Sequence, residues 1–533
     1  MRSMSSRRRR RVIAGAVAGV VVLLATVAAI LLARWTPEAL RARVVAELSR
    51  EFDSTVEFAA LRVSLYPRLR VEGEGLVLRH QGRTDVPPLI VVDRFSAQAR
   101  WRSLVATPRR VDRVRLDGLR ITVPPRPARR PDGEDGGCRG GTPDSAAEAA
   151  RAEAPAVVVG EVVCTRARLD LLPRRADKQP RVFSIHDLTL RDVAPGRPMT
   201  FSARLTNPKP QGLIVTQGAF GPWHESAPSL TPVSGRFVFD GADLGTLRGI
   251  EGTLSSEGTY SGVLEAIRVR GSTETPDFSL ATAGNPVPLD TRFVACVDGT
   301  DGDTYLDRVE ARLGRTGIVA SGRIEGKAGV AGRTIALDVT VEHGRIDDLL
   351  RLAVKGDEPF MSGGVSLQTT FLLPPGERDV IERLKLDGQF GVERSTFAAP
   401  TVQAKVDELS RRGRGDVEDT TPDRALSDLR GRFALDDGTM QFSRLTFAVS
   451  GALVRLAGYY DLAGQTVDLR GTLRLRATLS ETTTGLRSLL LKAVDPLFRR
   501  KDAGTVLPIT ITGSHDKPAF KVDVKRALAR TDP

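Results

Sequence analysis

Ser514 and Lys517 stand in the order Ser-x-x-Lys within "SHDK". Acyl-serine enzymes use that spacing on a helix, where it places the Lys one turn from the nucleophilic Ser. Here the pair falls between a strand-like run and Pro518, a setting for a turn, so no catalytic residue is assigned. The stretch "DGTDGDTYLD" brings together Asp298, Asp301, Asp303 and Asp307, carboxylates that could coordinate calcium. Their spacing misses the EF-hand pattern and Asp-Gly pairs commonly make turns, which leaves them a weak metal candidate. His80, His186, His224, His343 and His515 show neither HExxH nor paired spacing, and the chain has no G-x-S-x-G, P-loop or G-x-G-x-x-G. Cys138, Cys164 and Cys296 are far apart without a CxxC, which excludes a zinc knuckle or a disulfide framework. Cys164 and Cys296 could pair in an oxidising compartment. No cofactor is implied.

The chain has 533 residues, 41% hydrophobic and 27% charged, a composition that suits a folded protein. Its formal charge of +13 comes mainly from Arg, scattered along strand-like runs and interleaved with acids. Neither a basic helix nor an aromatic stacking cluster accompanies it, so nucleic acid is not an expected partner.

The residues that might have done chemistry thus lead back to the elements that would carry them. Val12 to Ala33 is free of charge, and about 22 residues at 1.5 Å each span a hydrocarbon core of roughly 30 Å. Arg7 to Arg11 precede this segment, so the positive-inside rule puts the N-terminus in the cytoplasm and the bulk of the chain across the membrane. A cleaved signal peptide would have a shorter apolar core. Thr36, Pro37 and Glu38 then open a short helix whose Leu40, Val44, Leu48 and Phe52 recur four apart.

Beyond it, apolar residues alternate with polar ones, the mark of strands with one dry face. The clearest run is Val467, Leu469, Gly471, Leu473, Leu475, Ala477 and Leu479. Ile335 to Val341 and Leu384 to Val392 repeat the pattern, and "DDG" at Asp436 to Gly438 signals a hairpin. "VRGSTETPDFSL" (269–280) matches "ITGSHDKPAFKV" (511–522) without a gap, and strand-turn-strand-helix recurs around 322–354 and 457–494, which points to a repeat body. Leu486, Leu489, Leu490, Ala493, Leu497 and Phe498 form an apolar stripe at helical spacing.

The fold class expected is mainly β: an N-terminal transmembrane helix, then an elongated antiparallel β-sheet groove of repeated units with a few short amphipathic helices. Its parts are a basic cytoplasmic tail (1–11), an anchor (12–33), an N-terminal helix and β region (34–123), a disordered linker (124–156), a central β-repeat region (157–406), a polar loop (407–424) and a C-terminal β region (425–533). The groove lining should include Val454, Leu456 and Tyr460 with Val467, Leu469, Leu473, Leu475 and Leu479. Periodicity alone lets either a second sheet or an acyl chain cover that face.

These features resemble the AsmA-like proteins of the bacterial envelope. The resemblance rests on the anchor, on "TPEALRARVVAELSREF" followed by "VEFAALRVSLYPRLRVEGEGLVLR", and above all on the stretch from about Leu426 to Val522. Asp53, Ser54 and Thr55 stand where that family commonly has Gly-Arg. The resemblance implies a single-pass inner-membrane protein, its bulk periplasmic, related to bridge-like lipid-transfer proteins. Such a protein would bind or conduct phospholipid or another lipid in support of outer-membrane biogenesis, without catalysis. The alternative is a non-enzymatic periplasmic assembly factor or scaffold with a partner protein of the outer membrane or envelope.

Overall fold

A computed structural model describes residues 54–57, 59–64, 68–80, 88, 90–100, 102–103, 108–123, 157–171, 181–194, 196–222, 228–281, 285–299, 302–326, 330, 332–354, 356, 358–415, 424–477, 499–500, 504–514 and 517–522. The expected anchor (12–33), the linker (124–156) and the apolar stripe of 486–498 lie outside these residues. Among the described residues no helix is long and apolar enough to cross a membrane.

The described chain is mainly β. Its strands are β1 (Ser54–Glu57), β2 (Ala60–Ser64), β3 (Leu69–His80), β4 (Ile90–Ala99), β5 (Arg109–Asp117), β6 (Arg120–Val123), β7 (Val157–Leu171), β8 (Arg181–Val193), β9 (Met199–Pro208) and β10 (Gln211–Phe220). Next come β11 (Pro232–Asp243), β12 (Ile250–Glu251), β13 (Thr253–Val263), β14 (Ala266–Thr275), β15 (Ser279–Leu280), β16 (Leu289–Val297), β17 (Thr304–Leu313), β18 (Thr316–Gly326) and β19 (Arg333–Arg345). The remainder are β20 (Met361–Leu373), β21 (Lys385–Phe397), β22 (Ser427–Asp436), β23 (Thr439–Val449), β24 (Ala452–Asp461), β25 (Thr466–Leu475), β26 (Arg499–Arg500), β27 (Gly504–Ser514) and β28 (Lys517–Val522).

All but β12 and β15, which pair with each other, belong to one sheet of 26 strands. Most neighbours in sequence are neighbours in space, many of them joined by short turns: β22 meets β23 at Asp437 and Gly438, whose φ of 48° and 70° suit the primed turn that "DDG" signals. With a few strands end to end in one row and about 4.8 Å between rows, the ribbon runs on the order of 100 Å.

Four expectations are corrected. The sheet is mixed, not antiparallel throughout: β5 and β6, separated by Gly118 and Leu119, both lie parallel to β7. A parallel neighbour requires the chain to return to the starting end, and residues 124–156 stand at that connection. β25 stops at Leu475, short of Leu479, because the Arg476 and Ala477 N–H groups donate to Gly451 and Gly413 oxygens at 2.9 and 3.1 Å.

The polar stretch expected as a loop from Asp407 is helical through Arg414, in the helix Pro400–Arg414. Its buried stripe is Gln403, Val406, Ser410 and Gly413, helical in spacing but mostly not apolar, so hydrophobic periodicity could not reveal it. Gln403 satisfies that stripe by accepting from the Phe397 N–H and donating to Asp407 and the Ala425 oxygen. The matched segments 269–280 and 511–522 also part ways. After the common strand the first leaves the main sheet to pair β15 with β12, whereas the second turns back as the hairpin β27–β28.

Three buried clusters hold the ribbon. The first spans β3 to β9 and includes Leu69, Val92 and Val114 at 1%, 0% and 0% exposure, each contributing roughly 1.5–3 kcal/mol by burial. The second joins Val341, Met361, Val365 and Val392 to Ile346, Leu349 and Leu350 of the helix Ile346–Ala353. The third lies under Leu409 of the helix Pro400–Arg414.

Candidate functional site

Directly paired residues point their side chains to the same face, so the registers trace each face across the ribbon. On one face the path from Val71 runs through Ala97, Val114, Val162, Leu190 and Phe201 to Gly218. It continues through Gly235, Tyr260, Val269, Ala295, Leu306 and Gly322 to Leu337. Phe371, Leu386, Leu435, Met440 and Tyr460 then carry it to Val467 and Gly513. From β3 to β27 the path meets no charged residue, and its only polar atoms are tyrosine hydroxyls. The other face is charged, with cross-strand ion pairs such as Arg113–Glu161 and Arg312–Asp290.

The residues expected as groove lining fall on the apolar face as paired neighbours: Val454 with Leu473, and Tyr460 with Val467. Val454, Leu456, Leu469 and Leu475 are buried at 5–8% exposure, and Tyr460, Val467 and Leu473 are half-buried. Leu479 lies outside the described residues. Half-buried apolar residues extend further upstream, from β11 to β17, a part of the face that sequence reasoning did not single out. There Phe237, Phe239, Tyr260, Val269, Phe293 and Val309 are half-buried and belong to none of the three clusters. The missed signal is an alternation interrupted by glycines, which weakens the apolar count of each strand.

Glycines along the whole sheet admit close approach. A Cβ at Gly471 would lie 1.8 Å from the Arg455 oxygen, and one at Gly73 would lie 2.2 Å from the Phe95 ring. Glycine and aromatic residues sit directly opposite each other along the face, as in Gly271 with Phe293 and Gly431 with Phe390. At Gly235 the absent side chain leaves room for Tyr260, whose hydroxyl reaches over to Thr216 at 2.7 Å. Burial holds the Tyr260 phenol above its ordinary range, and that hydrogen bond pulls the other way.

The residues weighed for chemistry are placed otherwise. Ser514 and Lys517 are register partners at the ends of the antiparallel strands β27 and β28, not residues of one helix. Asp303 accepts from Arg333 at 2.8 Å and the Gly326 N–H at 2.9 Å, and Asp307 pairs with Arg268 at 3.6 Å. Asp301 lies outside the described residues. Among the described residues no group of three or more His, Cys, Asp or Glu gathers as a metal site. Cys164 is a free, buried thiol pushed up to about 12 by desolvation, so the suggested pairing with Cys296 is not made.

Comparison with known proteins adds no assignment: no family model, curated protein or solved structure matches this chain.

Proposed function

We propose that this protein is a non-enzymatic, inner-membrane-anchored component of the bacterial envelope. Its bulk is periplasmic, and its apolar sheet face acts as a groove that binds or conducts phospholipid in support of outer-membrane biogenesis. The observation that carries this reading is the apolar face from β11 to β17, where Phe237, Phe239, Tyr260, Val269, Phe293 and Val309 are half-buried and belong to none of the core clusters. A contiguous apolar surface left short of full burial marks a binding site. Acyl chains suit it, since each methylene taken from water gains about 0.8 kcal/mol without needing a polar partner. The floor between Phe237 and Phe293 offers glycines and rings in place of fixed donors, so tails can slide while head groups stay in water. The anchor and the envelope location rest on the charge-free segment 12–33 and on the resemblance to AsmA-like proteins.

The test is whether the full-length chain, purified in mild detergent, carries phospholipid by mass spectrometry and takes up labelled phospholipid from vesicles. A protein that emerges lipid-free and acquires none contradicts the reading.

The assembly-factor reading draws on β28, which among the described residues pairs only with β27 and carries Phe520 at 56% exposure beside Lys405. It predicts capture of a partner that survives charges placed on the apolar face.

A further inference from the structure

On the polar face, cross-strand neighbours usually combine opposite charges: Arg113 with Glu161, Arg312 with Asp290, Arg430 with Glu393. Several rows depart from that rule, as where Arg432 pairs with Arg444 and Arg455 with Thr446 and Thr472, and one of them lies in a cleft. Directly paired across β10, β11, β13, β14, β16 and β17 stand Gln217, Arg236, Thr259, Arg270, Val294 and Arg308. The row extends back to Ser202 and Thr189 on β9 and β8. It therefore crosses eight strands without a carboxylate, and its arginines recur on every second strand, about 10 Å apart.

This row lies in a cleft of about 960 Å³, adjoined by a second of about 670 Å³ that shares Gln217 and Arg236. Arg270 makes no ion pair or hydrogen bond through its side chain among the described residues. Arg236 meets the Gln217 amide, with the amide oxygen turned toward it, and Arg308 pairs with Glu310 at 2.7 Å. The neighbouring row on one side carries Glu257 and Glu310 around Arg292 and bounds the strip there, whereas on the other side Ser234, Ser261, Arg268 and Cys296 add no carboxylate apart from Asp307 at the β17 bulge, which pairs with Arg268.

A strip of guanidinium forks interspersed with Gln, Ser and Thr, and with Val294 between its last two arginines, matches a linear occupant bearing acid groups and hydroxyls. Guanidinium binds carboxylate, sulfate or phosphate through paired N–H donors, and the hydroxyl and amide groups between can exchange hydrogen bonds with sugar hydroxyls. Single-stranded nucleic acid would instead call for a run of stacking rings, and of the aromatic residues on β11 to β17 Phe237, Phe239, Tyr260 and Phe293 point to the opposite face, which leaves only Tyr305 beside the row. We infer that the polar face between β8 and β17 binds a linear anionic glycan along the Arg236–Arg270–Arg308 row. This site lies on the reverse side of the sheet from the lipid groove and does not depend on it.

The test uses the full-length chain in detergent and a heparin-derived octasaccharide, with neutral maltooctaose and oligo(dT) as comparison probes. The octasaccharide should bind in a salt-sensitive manner, and maltooctaose should not. The variant Arg236→Gln/Arg270→Gln/Arg308→Gln should weaken binding by about tenfold or more, as expected when charge-assisted contacts are lost. Arg94→Gln/Arg430→Gln/Arg470→Gln removes equal charge elsewhere on the same face and should leave binding nearly unchanged. Failure to bind, equal weakening by both variants, or oligo(dT) binding as tightly as the octasaccharide would overturn the assignment. Lipid loading measured on the same samples separates this result from the fate of the groove.

Discussion

Tyr260 on β13 reaches across Gly235 on β11 to hydrogen-bond Thr216 on β10, hydroxyl to hydroxyl at 2.7 Å. A Cβ on Gly235 would stand 2.5 Å from both the Tyr260 hydroxyl oxygen and the Gln217 backbone oxygen. Gly235→Ala should therefore destabilise the fold by about 1–3 kcal/mol, the usual cost of overpacking. Gly317→Ala, where a Cβ meets nothing within 4 Å, should change stability little. Denaturant midpoints compare the two, and equal effects would contradict the packing described.

Asp348 is buried at the start of the helix Ile346–Ala353 and accepts from the Arg315 N–H and the Thr316 hydroxyl, both at 2.9 Å. It ties the β17–β18 turn to the helix that covers the second cluster. Asp348→Ala strands both donors and should cost roughly 1–3 kcal/mol. Thermal unfolding reads this loss, and Asp347→Ala at a more exposed position should cost less.

Cys164 should resist alkylation in the native protein, because the thiolate is the reactive form and burial suppresses it. Peptide-level mass spectrometry after iodoacetamide treatment should find Cys164 modified only once denaturant opens the fold. Rapid native modification would contradict its placement under the first cluster.

Asp117 is held below the usual carboxylate range, chiefly by its hydrogen bond from Arg166 and further by Thr165 and Arg94. Its contribution to stability is thus present above the unfolded value of about 3.9 and is lost as pH falls through the lower folded value. Asp117→Asn should flatten the fall in stability below about pH 4, by a small amount because Arg94 and Arg166 are largely exposed. Unfolding midpoints between pH 3 and pH 7 check the slope.

Much of the architecture was written in local alternation. Leu386, Gly388, Phe390 and Val392 announced one face of β21, and β22 answers each of them on that face. The "DDG" turn fixed the neighbour and the register of β23. Three features escaped for physical reasons. The parallel pairing of β5 with β7 depends on where a long connection returns, which no residue type marks. The helix Pro400–Arg414 buries Gln403 and Ser410 through hydrogen bonds instead of apolar contact, so it reads as a polar loop. The division of the apolar face into buried clusters and a half-buried stretch depends on which helices lie over it. Leu473 and Phe293 carry the same alternating signal, yet only the first packs against a core cluster.

The groove is tested most directly by charging that half-buried stretch. Phe293 and Val309 are paired neighbours on the apolar face, and Thr472 lies exposed on the other. Phospholipid co-purifying with full-length Phe293→Asp, Val309→Asp and Thr472→Asp would be quantified by mass spectrometry alongside circular dichroism. The account predicts folded proteins throughout, with bound lipid lost from the first two and retained by the third. Undiminished lipid in Phe293→Asp and Val309→Asp, with the fold intact, would contradict it.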